Sequence, residues 1–236
     1  MRFGVISFPG SCDDLDAKLA AGRVGEAEIV PHTQTDLRGF DSIIVPGGFS
    51  YGDYLRPGAI ARFAPVMESV SAFAREGGLV LGICNGFQVL CEARLLPGAL
   101  LRNVNGHFTC RQVTLELCNG GTPFTRCCPP LLSLPAKHAF GRWYAPAQTL
   151  AEMRERGQIV FRYAPGENFN GSIDDVAGVC SAEGNVLGLM PHLEHAVDQL
   201  MGSTHGLSVL QSMRLSVEGA RLRIGGVDVE GKAAGA

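Results

Sequence analysis

Short apolar segments alternate with amphipathic segments through the first hundred residues. An uninterrupted apolar run of this kind is typical of a strand with both faces buried. The segments between the runs have apolar side chains at helical spacing, as Met67, Val70, Phe73 and Ala74 do before a glycine pair. The pattern predicts a mostly parallel sheet with helices on both faces. The predicted strands are residues 2–8, 27–30, 41–45 and 79–83, and the predicted helices are residues 14–21, 64–76 and 86–95.

The first predicted helix has two candidate capping residues. The turn Pro9-Gly10 ends the first strand, and Ser11 or Asp13 is placed to cap the helix that begins at residue 14. We therefore expect one of these two side chains to accept a hydrogen bond from the helix N-terminus.

The pattern changes after residues 97–98, Pro-Gly. Residues 107–124 alternate in part and predict a β-rich insertion, whereas the proline-rich residues 125–136 predict a loop. A helix over residues 147–156 and a strand over residues 158–163 are predicted to follow.

The sequence of the C-terminal part predicts two strands, and the structure of the last residues can be interpreted in two ways. The strands lie within residues 176–191 and are joined by a turn at 183–185. The last residues, 214–236, fit either a final hairpin or a loose tail. Because no internal repeat and no long linker interrupts the sequence, we predict one domain over residues 1–213 and a C-terminal extension without an assigned role.

Charge and composition narrow the class of function. The 236 residues carry a formal net charge of −3 without any block of like charges, which disfavours nucleic acid and anionic membranes as partners. No apolar run reaches the roughly 18 residues of a membrane span, and the first residues do not resemble a signal peptide. The eight cysteines include no C-x-x-C pair and no set at zinc spacing, so we expect reduced thiols in a cytoplasm.

Motifs for cofactors are also missing from the sequence. There is no P-loop sequence, no G-x-G-x-x-G after the first strand and no H-E-x-x-H. We therefore expect no nucleotide, metal or other cofactor on this chain, and a small molecule or a protein as its partner.

One of the eight cysteines, Cys84, stands between Gly82 and Gly86 where a predicted strand meets a predicted helix. Side chains two residues before and after so sharp a turn would collide, so glycine suits both positions. Such a nucleophile elbow places the sulfur at a helix N-terminus, whose dipole favours the thiolate. The alternative interpretation is a buried structural thiol.

A nucleophilic cysteine needs a base, and the base needs a group that orients it. His192 and Glu194 follow a predicted strand, and residues i and i+2 of an extended chain point to the same side. Glu194 can therefore hold the imidazole of His192 in one tautomer. His195 is expected to point away from this pair.

The other histidines have no acid at matching spacing. His138 has Lys137 and Arg142 nearby, which makes it a candidate for binding rather than for a general base. The remaining three are expected to be surface or loop histidines, namely His32, His107 and His205.

Acyl transfer also needs donors for an oxyanion. Asn85 offers its backbone N–H directly after the cysteine. Gly47 and Gly48 leave the backbone bare after the strand at 41–45, so the Gly48 N–H can face the sulfur. An ordinary turn at the end of the strand is the alternative interpretation of these two glycines.

Four motifs give the chain a resemblance to a known family. "GICNGFQ" at residues 82–88 resembles the G-x-C-x-G-x-Q motif of the class I, or triad, glutamine amidotransferases. Three further segments resemble, within that class, the glutaminase subunits of purine biosynthesis: "PGGFSYGDYLRPGAIAR" at 46–62, "LLPGALLRN" at 95–103 and "FRYAPGENFNGS" at 161–172. The similarity covers about residues 3–212.

The resemblance implies a fold, a reaction and partners. The fold would be flavodoxin-like, with a mostly parallel sheet, helices on both faces and a β-rich insertion. The chain would hydrolyse L-glutamine to glutamate and ammonia through a cysteinyl thioester. It would pass the ammonia to a synthetase subunit that uses ATP and Mg²⁺ to make formylglycinamidine ribonucleotide, with a small accessory subunit as a further candidate partner.

The same resemblance assigns roles to residues of this chain. Cys84 would be the nucleophile, His192 the base and Glu194 the acid that orients it. The glutamine-binding residues would be Gly48 and Asn85, whose N–H groups hold the oxyanion, together with Gln88.

The chain departs from the family pattern beside these residues. The family motif P-H-P-E-R corresponds to residues 191–195, where this chain has Leu193 and His195. The family motif H-G-E-G-R corresponds to residues 138–142, where this chain has Phe140. The family also has S-N-C-D where residues 11–14 of this chain are Ser-Cys-Asp-Asp, and proline at the position of Phe169. Two alternatives stay open: a different Cys-His hydrolase of the peptidase or deglycase type on the same fold, and an uncoupled paralogue that acts only as a binding subunit.

Overall fold

A nine-stranded sheet is the centre of the computed structural model, which describes residues 1–226. The strands are β1 (Arg2–Ser7), β2 (Glu26–Pro31), β3 (Ser42–Val45), β4 (Leu79–Ile83), β5 (Ala99–Leu101), β6 (Thr109–Leu117), β7 (Leu131–His138), β8 (Arg142–Tyr144), β9 (Ile159–Tyr163), β10 (Val176–Cys180) and β11 (Val186–Leu189). The helices are α1 (Asp14–Gly22), α2 (Pro65–Arg75), α3 (Asn85–Glu92), α4 (Ala147–Glu155) and α5 (Gly206–Gly226).

The strand order is β2-β1-β3-β4-β11-β10-β9-β6-β7, and β5 pairs with β8 in a separate small sheet. The first five strands of this order are parallel, with β3 and β11 on either side of β4. The other pairs are antiparallel and include the β-rich insertion and the hairpin of β10 and β11. The fold class predicted from the alternation of strands and helices is therefore confirmed.

The parallel half of the sheet determines where a site can form. β3 and β4 are buried along their whole length, as their continuous apolar sequences predict. Because β1, β3, β4 and β11 are parallel, the segments that follow them meet at one edge of the sheet. These four segments contain Asp13, Gly48, Cys84 and His192.

The prediction of a loop over residues 125–136 is wrong for its second half, because β7 begins at Leu131. β7 pairs with β6 from Leu131 to His138 and buries alternate side chains. Pro135 lowered the strand signal, but β7 is the edge strand and the Pro135 carbonyl points outward, where it accepts a hydrogen bond from the His192 N–H at 2.8 Å. The missing proline N–H lies on that outer side, so the pairing with β6 loses nothing.

Neither interpretation of the chain end is correct for the residues that the structure describes. Residues 214–226 continue α5, which begins at Gly206 and therefore crosses the domain boundary predicted at residue 213. The helix buries Val209, Leu210 and Met213 against the core, and the Ser216 hydroxyl donates to the Pro123 carbonyl at 3.0 Å. Residues 227–236 of the predicted extension lie outside the described part of the chain.

Among residues 1–226, no helix combines the length and the apolar character that crossing a membrane requires.

Candidate active site

Cys84 lies in the turn between β4 and α3, and its backbone has φ +48° and ψ −103°. A positive φ is rare for a residue with a side chain and marks a locally strained turn. A Cβ on Gly82 would lie 2.9 Å from the Gly86 carbonyl carbon, and a Cβ on Gly86 would overlap the Val45 carbonyl group. The glycine frame is therefore a steric requirement of the elbow.

Substitution of Gly86 by alanine is expected to destabilise the fold by about 3 kcal/mol, the upper end of the usual cost of overpacking. The added methyl group would meet the backbone of β3, which cannot move aside as a side chain can. Gly22→Ala is the matched control, because a Cβ there has no neighbour within 4 Å. Urea denaturation of both variants measures the difference, and equal midpoints would contradict the steric argument.

His192 and Glu194 form a buried pair beside the elbow. Nδ1 of His192 lies 2.6 Å from Oε1 of Glu194, and both side chains are almost fully buried. The pairing was predicted from an extended chain, but residues 193–195 form a short 3-10 turn. The side chains of His192 and Glu194 meet because of this 3-10 turn, and not because alternate residues of an extended chain point to the same side.

Electrostatics at His192 favour the imidazolium. Burial lowers the pKa of His192, but the charges of Glu194 and Cys84 and the hydrogen bond to Glu194 raise it, and the net pKa lies well above its usual value. His192 Nε2 is buried and has no hydrogen-bond partner among the residues that the structure describes. The imidazole is therefore placed to keep a proton and to share it with the sulfur.

Asp13 does not cap α1 as predicted. It occupies the N-cap position, but its side chain makes no capping bond, and Ser11 accepts from the Phe8 N–H at 3.0 Å instead. The Asp13 carboxylate faces the site: Oδ1 lies 2.8 Å from Lys137 Nζ and Oδ2 lies 3.6 Å from His192 Nδ1. Local sequence rules missed this contact because Lys137 is 124 residues away in the chain.

His195 also differs from its prediction. Its ring stacks on His192 with 5.3 Å between the centroids, and its Nε2 lies 3.3 Å from Asp16 Oδ2 and 3.5 Å from Asp13 Oδ1. The 3-10 turn at 193–195 rotates the side chain inward, whereas an extended chain would have turned it away.

Four of these side chains lie close enough together to be considered as metal ligands. One ligand atom from each of Asp13, His192, Glu194 and His195 lies within 4.8 Å of the others. Two atoms that bind one zinc ion at about 2 Å each are held roughly 3 Å or more apart, whereas His192 Nδ1 and Glu194 Oε1 are 2.6 Å apart. Because these two groups bind each other, the cluster fits a charge network better than a metal centre.

His138, the candidate for a binding role, is buried at the side of the cavity. The side-chain amide oxygen Oδ1 of Asn103 lies 3.2 Å from its Nδ1, and Phe169 stacks on the ring with 5.1 Å between the centroids. Burial, together with the nearby His192, lowers the pKa of His138 to about 3. The ring is therefore neutral and unsuited to act as a cation.

A cavity of about 140 Å³ opens onto Cys84 and His192. Gly48 lines it with φ +135°, and a Cβ there would lie 2.5 Å from the Cys12 nitrogen, so only glycine fits. Within residues 1–226 the Gly48 N–H has no hydrogen-bond acceptor. Asn85 is the first residue of α3, so its N–H has no partner inside the helix. The Gly48 N–H is thus free at the cavity, and the Asn85 N–H is free of the helix ladder directly after Cys84.

Gln88 lines the same cavity and belongs to a polar network there. Its amide nitrogen donates to the Phe140 carbonyl at 2.6 Å, and its amide oxygen accepts from Asn85 Nδ2 at 2.9 Å. The same Asn85 nitrogen lies 3.3 Å from Asp53 Oδ1. Sequence reasoning missed Asp53, although it stands inside the glycine-rich segment that resembles the family.

The fold and the site define a class of protein: an acyl-transfer enzyme with a cysteine at a strand-to-helix elbow and a buried histidine–glutamate pair. The family model of the CobB/CobQ-like glutamine amidotransferase domain matches residues 2–214. The chain belongs to this glutamine amidotransferase family. Membership disfavours the peptidase and deglycase alternative.

Individual relatives and one solved structure show which members of the family the chain is similar to. Proteins named phosphoribosylformylglycinamidine synthase subunit PurQ from Rubrobacter xylanophilus and Thermus thermophilus are 56% identical over 216 residues and 54% identical over 215 residues. The alignments cover 90% and 88% of this chain and 97% and 95% of those proteins. The structure of PurLQS from Thermotoga maritima is similar with a TM-score of 0.83 and 41% identity, covering 90% of this chain and 96% of that one.

Proposed function

We propose that this chain is the glutaminase subunit of a phosphoribosylformylglycinamidine synthase and releases ammonia from L-glutamine for purine biosynthesis. The observation that carries the proposal is the elbow at Cys84 facing the buried His192–Glu194 pair across one small cavity. The names of relatives more than 50% identical support the same role.

The reaction follows from the charges at the site. The Cys84 thiolate attacks the side-chain amide carbon of glutamine, and the electron pair of the carbonyl moves to its oxygen. The imidazolium of His192 gives its proton to the amide nitrogen, and ammonia leaves as the thioester forms. His192 then takes a proton from water as the water oxygen bonds to the thioester carbon, the C–S bond breaks to return the Cys84 thiolate, and glutamate departs. Glu194 stabilises the charged imidazole in both half-reactions.

The backbone donors stabilise the tetrahedral intermediates. The N–H groups of Gly48 and Asn85 would each contribute about 3 kcal/mol to the transition state, as single oxyanion donors do elsewhere. Gln88, which lines the cavity, would contact the bound substrate. We propose these roles together with those of the triad.

Ammonia is useful only if a second active site consumes it. We infer that a synthetase subunit is the partner, that a small accessory subunit joins the complex, and that the complex works in the cytoplasm. ATP and Mg²⁺ would bind to the synthetase, since this sequence has no nucleotide motif. The subunit designation of the relatives and the PurLQS structure support such an assembly.

Treatment with a glutamine-like diazoketone tests the proposed activity. We expect one label per chain, on Cys84 and not on the other seven cysteines, because among residues 1–221 only this thiol shares a cavity with the buried His192–Glu194 pair. Excess glutamine should protect it, and the unlabelled complex should release ammonia from glutamine. Labelling of another cysteine, or cleavage of peptides or glycated substrates instead of glutamine, would contradict the proposal.

A further inference from the structure

The cavity that holds Cys84 contains two carboxylates in different electrostatic situations. Asp13 is neutralised by Lys137 at 2.8 Å, and both side chains line the cavity. Asp53 lines the same cavity, yet among residues 1–221, whose side chains the structure describes, no lysine, arginine or histidine forms an ion pair with it. A half-buried carboxylate without a cation is costly unless a ligand supplies the positive charge.

The position of Asp53 is tied to the elbow. Asn85, the residue after the nucleophile, donates from Nδ2 to Asp53 Oδ1 at 3.3 Å and accepts from the Ser50 N–H at 3.1 Å. The same Nδ2 donates to Gln88 Oε1 at 2.9 Å. Asp53 is therefore held on the side of the cavity formed by the first turn of α3, with Oδ2 left free among the described residues.

The backbone of this segment is also strained. Tyr51, Gly52, Asp53 and Leu55 all have φ between +53° and +70°. Such a run of left-handed residues persists only where the surrounding structure holds it, and it is concentrated at ligand-binding positions. Here the strained turn directs a carboxylate into the cavity.

Burial raises the pKa of Asp53 to about 6, and the Asn85 hydrogen bond only partly opposes this effect. A cation bound beside the carboxylate would remove the penalty. Glutamine carries such a cation, the α-ammonium group, at the end opposite to the amide that reacts with Cys84.

We propose that Asp53 is a specificity-determining residue that binds the α-ammonium group of glutamine. The inference rests on the proposed glutaminase function and adds the residue that distinguishes the amino acid from a simple amide. Asp13 is not the corresponding site, because Lys137 already neutralises it.

Two substrates and two variants test this role. The substrates are L-glutamine and 4-carbamoylbutanoate, which has the same amide and carboxylate but no amino group. For Asp53→Asn in the assembled complex, we expect kcat/KM for glutamine to fall by about 30-fold through KM, the size of one charged hydrogen bond. The value for 4-carbamoylbutanoate should stay within about twofold of wild type, because that substrate makes no such bond.

The matched control is Asp175→Asn. Asp175 has the same φ of +53° but is exposed and bonded to Asn168 outside the cavity, so neither substrate should be affected. An equal loss for both substrates in Asp53→Asn would show a structural role and overturn the inference. Unchanged use of glutamine would overturn it as well, and failure of the wild-type complex to hydrolyse glutamine would overturn the proposed function itself.

Discussion

Replacing Cys84 by alanine is expected to lower the glutamine-dependent rate by about 10⁴-fold or more, as removal of a nucleophile does in other acyl-transfer enzymes. No other thiol shares the geometry of Cys84, with a carbonyl of β7 3.9 Å from its sulfur and His192 beside it. Alanine keeps the Cβ and leaves the elbow between the two glycines unaltered. The loss should therefore be chemical and not structural.

The assay uses the complex with its synthetase, supplied with either glutamine or free ammonium. Amidine formation from ammonium should remain near the wild-type rate, since that reaction does not need the thiol. Cys110→Ala, at an exposed position of β6, is the control and should change neither rate. Retention of glutamine use by Cys84→Ala would rule out the thioester mechanism.

The predictable part of the site was local in sequence. The pattern of Gly82, Cys84 and Gly86 identified the elbow because its steric requirement involves residues four apart. The partners of Asp13 and Asp53 depend on contacts at separations of 124 and 32 residues, which no local pattern specifies. His192 and Glu194 were paired correctly from an incorrect backbone geometry, and the same error misplaced His195.

The fold was also predictable where local sequence patterns determine it and not where contacts between distant residues do. Continuous apolar strands such as β3 and β4 were predictable, because burial on both faces leaves a clear signal. β7 was missed, since its proline is acceptable only at an edge, and edge position is a property of the sheet order. The continuation of α5 past residue 213 contacts distant parts of the chain, as the hydrogen bond from Ser216 to the Pro123 carbonyl shows.

Changing Glu194 to glutamine is expected to lower the glutaminase rate by about 10³-fold, somewhat less than loss of the equivalent acid in serine proteases. The carboxylate is buried and lies 2.6 Å from His192, so its charge is not replaced by water. Without it, burial would dominate and the pKa of His192 would fall, because burial disfavours the imidazolium. A neutral His192 no longer stabilises the Cys84 thiolate and has no proton to give to ammonia.

Two measurements separate this effect from a general loss of structure. In Glu194→Gln, alkylation of Cys84 by iodoacetamide near pH 7 should slow and recover only at higher pH, whereas unfolding would expose all the thiols and speed alkylation. Glu218→Gln, which removes the exposed partner of Arg214, should leave both rates unchanged, because surface ion pairs contribute little. A wild-type alkylation profile in Glu194→Gln would mean that Asp13, 3.6 Å from His192, carries the electrostatic role assigned to Glu194.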